Sequence, residues 1–274
     1  MSLQHELSER YPLSQSQIDA FERQGFIKLK NVLSPAVLAH YGREITRLVL
    51  KLNKQDKPLE ERDTYHQAFL QVANLWQHST IVREFVFSTR LARIATELLR
   101  TSGVRLYHDQ ALYKEPGGGY TPWHADQQYW PLATGKCVTA WIPLQETPVA
   151  MGALAFSSGS HTFEYGRDLP ISEESERLLA AALDKAGFPY VETGYALGEV
   201  SFHYGWTFHR AGGNATRHNR SVMTVIYMDE HMRLAEPANE NQQIDADVWC
   251  PGVKIGEVID SELNPVLFSS ENEG

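Results

Sequence analysis

The chain has 274 residues, 42% of them hydrophobic and 22% charged, which is enough for one sizeable core and excludes a disordered or fibrous protein. A net charge of -9 argues against broad binding to nucleic acid or to an anionic membrane, and no apolar run approaches the roughly 20 residues of a membrane-spanning helix. The two cysteines, Cys137 and Cys250, and the lack of a secretion-type leader fit free thiols in a reducing cytoplasm.

The first hundred residues read as helical. Ser14 and Gln17 form a capping-box pattern ahead of Ile18 and Phe21, and Gly25 stands where that helix would stop. The apolar "FIKL" that follows predicts a short strand. Ser34 and Pro35 are a cap and first turn for Val37, Tyr41, Ile45 and Leu48, spaced as on one helix face. "HQAFLQVANLW" and "TRLARIATELLR" continue the helical period up to Gly103.

The pattern changes at Gly103. "VRLYHDQALYKE" is rich in strand formers and runs into Pro116 and three glycines, a strand followed by a loop. "CVTAWIPLQE" and "GALAFSS" predict two more strands, and Ser172 to Gly187 a capped helix inserted among them. "GEVSFHYGWTFH" and "RSVMTVIYMDE" add short strands, so the second half suits a jelly roll or barrel of the cupin kind. After Glu230 the tail reads as polar and loop-like, with Trp249, Ile255, Val258 and Leu267 packing parts of it back on the body.

The stretch "YTPWHADQQYWP" places His124 and Asp126 two apart, and in an extended segment such residues point to the same side. By itself the pair is accounted for by a turn whose histidine is merely hydrogen-bonded. A distant histidine, His209 in "WTFHRAGGN", completes two histidines and a carboxylate, the ligand set that holds mononuclear Fe(II) with positions left open. His203 in the same segment is a rival for His209. Arg220, eleven residues beyond His209, favours the latter if their strands are antiparallel neighbours, since a buried guanidinium matches a carboxylate bidentately. A surface ion pair is the plain alternative for Arg220.

The fragments "LYKEPGG", "PWHADQQYWPL", "AWIPLQE", "SGSH", "WTFHRAGGN" and "NRSVMTVIYM", in this order, resemble the phytanoyl-CoA dioxygenase family of Fe(II)- and 2-oxoglutarate-dependent oxygenases. "LSQSQIDAFERQGFIKLKNVLSP" and "PGVKIGEVIDSELNPVLF" resemble that family's beginning and ending, so the likeness covers nearly the whole chain. It implies a mainly β fold with flanking helices, a double-stranded β-helix of the jelly-roll, cupin-like type. One domain over 1–274 is expected, with a mostly helical part (1–102), the β-helix core (103–230) and a C-terminal extension (231–274). The resemblance further implies His124, Asp126 and His209 on iron, Arg220 on the distal carboxylate of 2-oxoglutarate, and Tyr113 and Trp141 beside that co-substrate. Met151 departs from the polar residue that many relatives carry before the glycine.

The implied reaction uses O2 and 2-oxoglutarate, releases succinate and CO2, and hydroxylates an unactivated C-H bond of a small molecule. Halogenating relatives replace the carboxylate by a small residue, so Asp126 favours hydroxylation or another oxidation such as desaturation. Gln127, Tyr129, Trp130, Asp109 and Arg210, with Gln128 and His108, are candidates to line the substrate mouth. Lys114, Lys136, Arg105 and Arg217 are basic groups that could steer an acidic substrate. A CoA thioester is one option among several. Two other readings compete: a non-catalytic metal-binding β-helix protein, and a cupin-type iron dioxygenase that does not use 2-oxoglutarate.

Overall fold

Local signals in the N-terminal part become helices where a side chain can satisfy the first free N-H groups. In the computed structural model, which describes residues 2–273, Ser2 caps α1 (Leu3–Ser8). Ser14 and Gln17 close a capping box on α2 (Gln15–Gln24), which Gly25 ends in the left-handed conformation (φ 79°) before β1 (Phe26–Leu29). Ser34 caps α3 (Pro35–Leu52), which buries Val37, Tyr41, Ile45 and Leu48.

The segment expected to continue as helix does otherwise. It divides into α4 (Thr64–Ala68), β2 (Leu70–Ala73) and a single turn at Leu75–Gln77. Leu70 to Ala73 pair antiparallel with Tyr113 to Gln110, because the long strand that follows offers an edge whose backbone groups need partners. Then come α5 (Thr80–Val86) and α6 (Thr89–Leu99), the second capped by Ser88.

The strands follow as β3 (Gly103–Lys114), β4 (Thr121–His124), β5 (Cys137–Pro143) and β6 (Leu154–Ser157). After them α7 (Glu173–Ala186) is capped by Ser172 and closed by Gly187, and β7 (Tyr190–Glu192), β8 (Val200–Tyr204), β9 (His209–Ala211) and β10 (Arg220–Asp229) complete the core. Beyond Glu230 the chain is more ordered than its polarity suggests. It forms α8 (Glu240–Trp249) and β11 (Val266–Ser269), the latter on the edge of β3. Leu267 is buried there, whereas Ile255 is exposed.

The strands make two antiparallel sheets, ordered β1-β8-β5-β10-β3-β11 with β2 also on β3, and β4-β9-β6-β7, that together form a double-stranded β-helix. Alternation along each strand sorts its side chains. Val138, Ala140 and Ile142, with Val200, Phe202, Met223 and Val225, join the core beneath α3, α5 and α6. Their neighbours Thr139, Trp141, His203, Arg220 and Thr224 line a cavity between the sheets. No helix among the described residues is long and apolar enough to cross a membrane, and Cys137 and Cys250 are free and buried.

Candidate active site

His124 ends β4 and His209 opens β9, and the two are direct cross-strand partners with ring centroids 4.2 Å apart. Asp126 begins the short turn after β4, held through the bond from Gln127 N-H to Gly205 O. The Nε2 atoms of both histidines lie 3.5 Å from Asp126 Oδ1. One ligand atom from each of the three residues lies within 4.8 Å of the others.

Hydrogen bonds set which atoms face one another. His124 Nδ1 donates to Pro122 O at 2.7 Å and His209 Nδ1 to Thr207 O at 2.9 Å, since a carbonyl oxygen only accepts. Burial holds His209 well below its ordinary pKa, with His124 adding to the effect, so its Nε2 presents a lone pair. Asp126 Oδ2 accepts from Thr139 Oγ1 at 3.0 Å and from His203 Nε2 at 3.1 Å. Burial would raise the Asp126 carboxyl, but His209, His124 and His203 together outweigh it and hold the group well below the usual carboxylate range. Three acceptor atoms therefore converge on one point with their other polar atoms engaged. That donor set suits a divalent iron site with two imidazoles and one carboxylate.

The rival histidine thus has a place of its own: His203 braces the carboxylate from behind, on the oxygen turned away from His124 and His209. Arg220 reaches the cavity from an unexpected direction. β9 and β10 are not neighbours but lie in opposite sheets, so the guanidinium comes across the cavity from His209.

Arg220 is 2% exposed, donates to Gly152 O at 2.7 Å, and has its carbon 5.4 Å from the Trp141 ring. Among the described residues no carboxylate pairs with it, and its Nε is buried without a partner. Burial lowers its pKa to about 10. Directly opposite in the strand register stands Lys114, fully buried, which donates to Gly119 O and lies 3.4 Å from Thr121 Oγ1. Burial and the nearby Arg220 charge push Lys114 down to about 6. Arg220, a buried cation with no carboxylate partner among the described residues, makes this end of the cavity suited to a carboxylate, and an anion there would let the neighbouring Lys114 hold its proton.

The other expected site residues divide. Tyr129, Trp130, Trp141 and His108 line the cavity. Tyr113 and Asp109 are corrections: they occupy the alternate positions of β3 and face the helices. Tyr113 bonds to Thr46 at 2.7 Å within the core. Asp109 accepts from the backbone N-H of Leu75 and Trp76, fixing the turn between β2 and α5. Gln127 points under the loop, donating to Thr134 O at 2.9 Å and accepting from Cys137 Sγ, and so does not reach the cavity. Arg210, between His209 and Ala211, necessarily faces outward and pairs with Glu176 of α7 at 2.9 Å. Met151 is buried against Gln145 and also lies off the cavity wall.

Sequence reasoning overlooked Thr139 and the burial of Lys114. Thr139 stands two residues before Trp141 on the same face of a strand, and Lys114 stands in step with His108, Gln110 and Leu112 after a bulge. Period-two counting from a known cavity residue would have found both.

Comparison with known proteins agrees with this geometry. The family described as Phytanoyl-CoA dioxygenase (PhyH) matches residues 21–222. The ectoine dioxygenase of Streptomyces anulatus is 24% identical over 247 residues, 82% of either chain. A probable alpha-ketoglutarate-dependent hypophosphite dioxygenase of Stutzerimonas stutzeri is 28% identical over 130 residues, 45% of either chain. Among solved structures, the non-heme alpha ketoglutarate dependent carbocyclase SnoK from nogalamycin biosynthesis superposes with a TM-score of 0.76 at 24% identity, covering 94% of this chain and 97% of that one. EctD from S. alaskensis with 2-oxoglutarate and 5-hydroxyectoine gives 0.67 at 22%, covering 84% and 82%. These two structures share the fold.

Proposed function

The chain belongs to the phytanoyl-CoA dioxygenase family, and from that premise we propose that this Fe(II)- and 2-oxoglutarate-dependent dioxygenase hydroxylates an unactivated C-H bond of a small organic molecule. The observation that carries the site assignment is the convergence of His124 Nε2, His209 Nε2 and Asp126 Oδ1, each backed by a hydrogen bond on its far side. These three residues would hold the iron. The metal with 2-oxoglutarate and O2 supplies the oxidation, coupling decarboxylation of the oxo acid to succinate and CO2 with attack on a C-H bond.

The chain's own residues position and shield that chemistry. Arg220, braced by Gly152 O and the Trp141 ring, would bind the distal carboxylate of 2-oxoglutarate, and Lys114 adds positive charge beside it. Thr139 and His203 hold Asp126 turned so that its other oxygen would face the metal position. Retention of Asp126 leaves no vacancy for a halide, which favours oxygenation over halogenation. Tyr129 and Trp130 would flank the substrate and exclude water. The described residues support a single catalytic domain, since β11 and α8 of the C-terminal extension pack on the same barrel as the helical N-terminal part.

The test is anaerobic. Fe(II) and then 2-oxoglutarate are added to apo-protein, and the visible metal-to-ligand charge-transfer band of the chelated oxo acid is recorded. The band is expected in the wild type and absent in His124→Ala. Succinate release on admitting O2 then reports turnover against candidate substrates. Iron binding without the band would overturn the role of 2-oxoglutarate at this site.

A further inference from the structure

Beyond the metal position and the Arg220 end, the cavity has a third wall of a different character. It is built by the rings of Tyr65, Tyr129, Trp130 and Trp249, and by one carboxylate, Asp245. Asp245 and Trp249 both come from α8 and lie four residues apart, one turn of that helix. The helix is tied to the turn that carries Asp126, because Asn239 Nδ2 and Gln242 Nε2 both donate to Gln128 O, at 3.3 and 3.2 Å. Asp245 is thus held in a defined place relative to the metal ligands. Tyr65 and Tyr129 each lie within electrostatic reach of both Asp126 and Asp245.

The carboxylate lacks the partner its surroundings call for. Tyr107 Oη donates to Asp245 Oδ2 at 2.9 Å and Trp249 also bonds to it, but no cation pairs with it among the described residues. Among the described residues, and apart from the histidines, the only cationic side chain lining the cavity is Arg220, which belongs to the opposite end. Burial pushes Asp245 up to about 7, the cost of a desolvated carboxylate without a counter-charge. His108 lines the same wall. His108 is 5% exposed, its ring centroid 5.1 Å from that of Trp249 and 6.1 Å from that of Trp130. Its Nδ1 is buried without a well-formed hydrogen bond, and burial holds the ring neutral with a pKa of about 4. A carboxylate and a neutral imidazole amid electron-rich ring faces attract positive charge and N-H donors, and repel anions.

We propose that this wall is a cation subsite, in which Asp245 and the rings of Tyr65, Tyr129, Trp130 and Trp249 hold a positively charged nitrogen of the substrate. The molecule oxidised is then an organic cation or a zwitterion, with its target carbon between the held nitrogen and the metal. A CoA thioester, which carries several phosphate charges, is the wrong chemistry for this wall. The subsite itself does not depend on iron, whereas its meaning as a substrate anchor rests on the function proposed above.

The test uses full-length protein loaded anaerobically with Fe(II) and 2-oxoglutarate. Two pairs of probes differ in charge and hardly in shape: choline against 3,3-dimethylbutan-1-ol, and acetamidinium against acetamide. Dissociation constants are read by ligand-observed NMR. At least one cation is expected to bind about tenfold or more tightly than its neutral isostere, and the pair that shows this identifies an alkylammonium or a planar amidinium. Asp245→Asn keeps the side-chain shape and the Tyr107 hydrogen bond, and is expected to abolish that preference while the neutral probes bind as before. Trp249→Leu should weaken the preferred cation more than its isostere. Equal binding within both pairs, or a preference that survives in Asp245→Asn, overturns the proposal. The charge-transfer band is recorded in the same samples. A band without a cation preference sinks this subsite alone, whereas a cation preference without a band sinks the iron and 2-oxoglutarate reading and leaves the subsite standing.

Discussion

Arg220→Ala tests the proposed contribution of one buried charge to co-substrate binding. With 2-oxoglutarate bound, the guanidinium would face a carboxylate in a cavity where it is 2% exposed. Removing one partner of such a buried pair costs about 3–5 kcal/mol. At about 1.4 kcal/mol per factor of ten, that is a rise of roughly one hundred to a few thousandfold in the 2-oxoglutarate dissociation constant. Lys114 moderates the effect. Burial and the Arg220 charge together depress it, so the variant lets Lys114 hold its proton more readily and take over part of the carboxylate. The expected rise is therefore about a hundredfold, at the lower end of that range. The double variant Arg220→Ala/Lys114→Met should lose more than the sum of the two single changes. The assay is an anaerobic titration of the Fe(II)-loaded protein, followed by the charge-transfer band. Free-protein stability should change little, because Arg220 pairs with no carboxylate of the wall and gives up just its bond to Gly152 O and its contact with the Trp141 ring. A change in 2-oxoglutarate affinity of less than roughly threefold would refute the reasoning and place the co-substrate carboxylate elsewhere.

Thr139→Val removes one of the two donors that orient Asp126 and should weaken Fe(II) binding about 10- to 100-fold, measured by metal titration. His203→Ala should do the same, while His209→Ala should lose iron altogether. The reverse order would exchange the roles of the two histidines. Lys114 gives a pH dependence of definite sign. Its folded pKa of about 6 lies below its ordinary value of 10.5, so between those values the unfolded chain holds a proton that the folded one has lost. Its contribution to stability therefore rises with pH across that window. An anion bound beside it restores the proton, so 2-oxoglutarate binding should take up protons at pH 7.5 and weaken as pH rises from about 6. Calorimetry in two buffers of different ionisation enthalpy checks the uptake. Arg210→Ala should leave 2-oxoglutarate affinity unchanged and cost about 1 kcal/mol or less in denaturant unfolding, since it breaks a partly exposed pair with Glu176. A large loss of co-substrate affinity would return Arg210 to the cavity.

What local sequence dictates, it dictated well. Ser14 with Gln17, Ser34 with Pro35, and Ser172 with Gly187 mark helix ends because a cap is satisfied by residues three or four positions away, with no distant partner. The ordered motifs around His124, Asp126, His209 and Arg220 likewise identified the family, and with it the β-helix and the iron and 2-oxoglutarate chemistry. What failed was whatever depended on a partner far along the chain. Leu70 to Ala73 became a strand because the edge of β3 was there to pair with, and Val266 to Ser269 closed the same sheet from the supposedly loop-like tail.

The separate placement of His203 and His209 was decided the same way. Both lie on strands and both face the cavity, but His209 stands opposite His124 in one sheet, whereas His203 rises from the other and meets the far oxygen of Asp126. Alternation likewise turned Asp109 and Tyr113 into the helical core and Arg210 toward α7, a matter of one residue in register that composition cannot reveal. The sequence by itself therefore determined the caps, the family and the kind of metal site. Only the tertiary structure decided which side chains share the cavity, because two sheets meet there from distant parts of the chain and each strand shows the cavity only half of its residues.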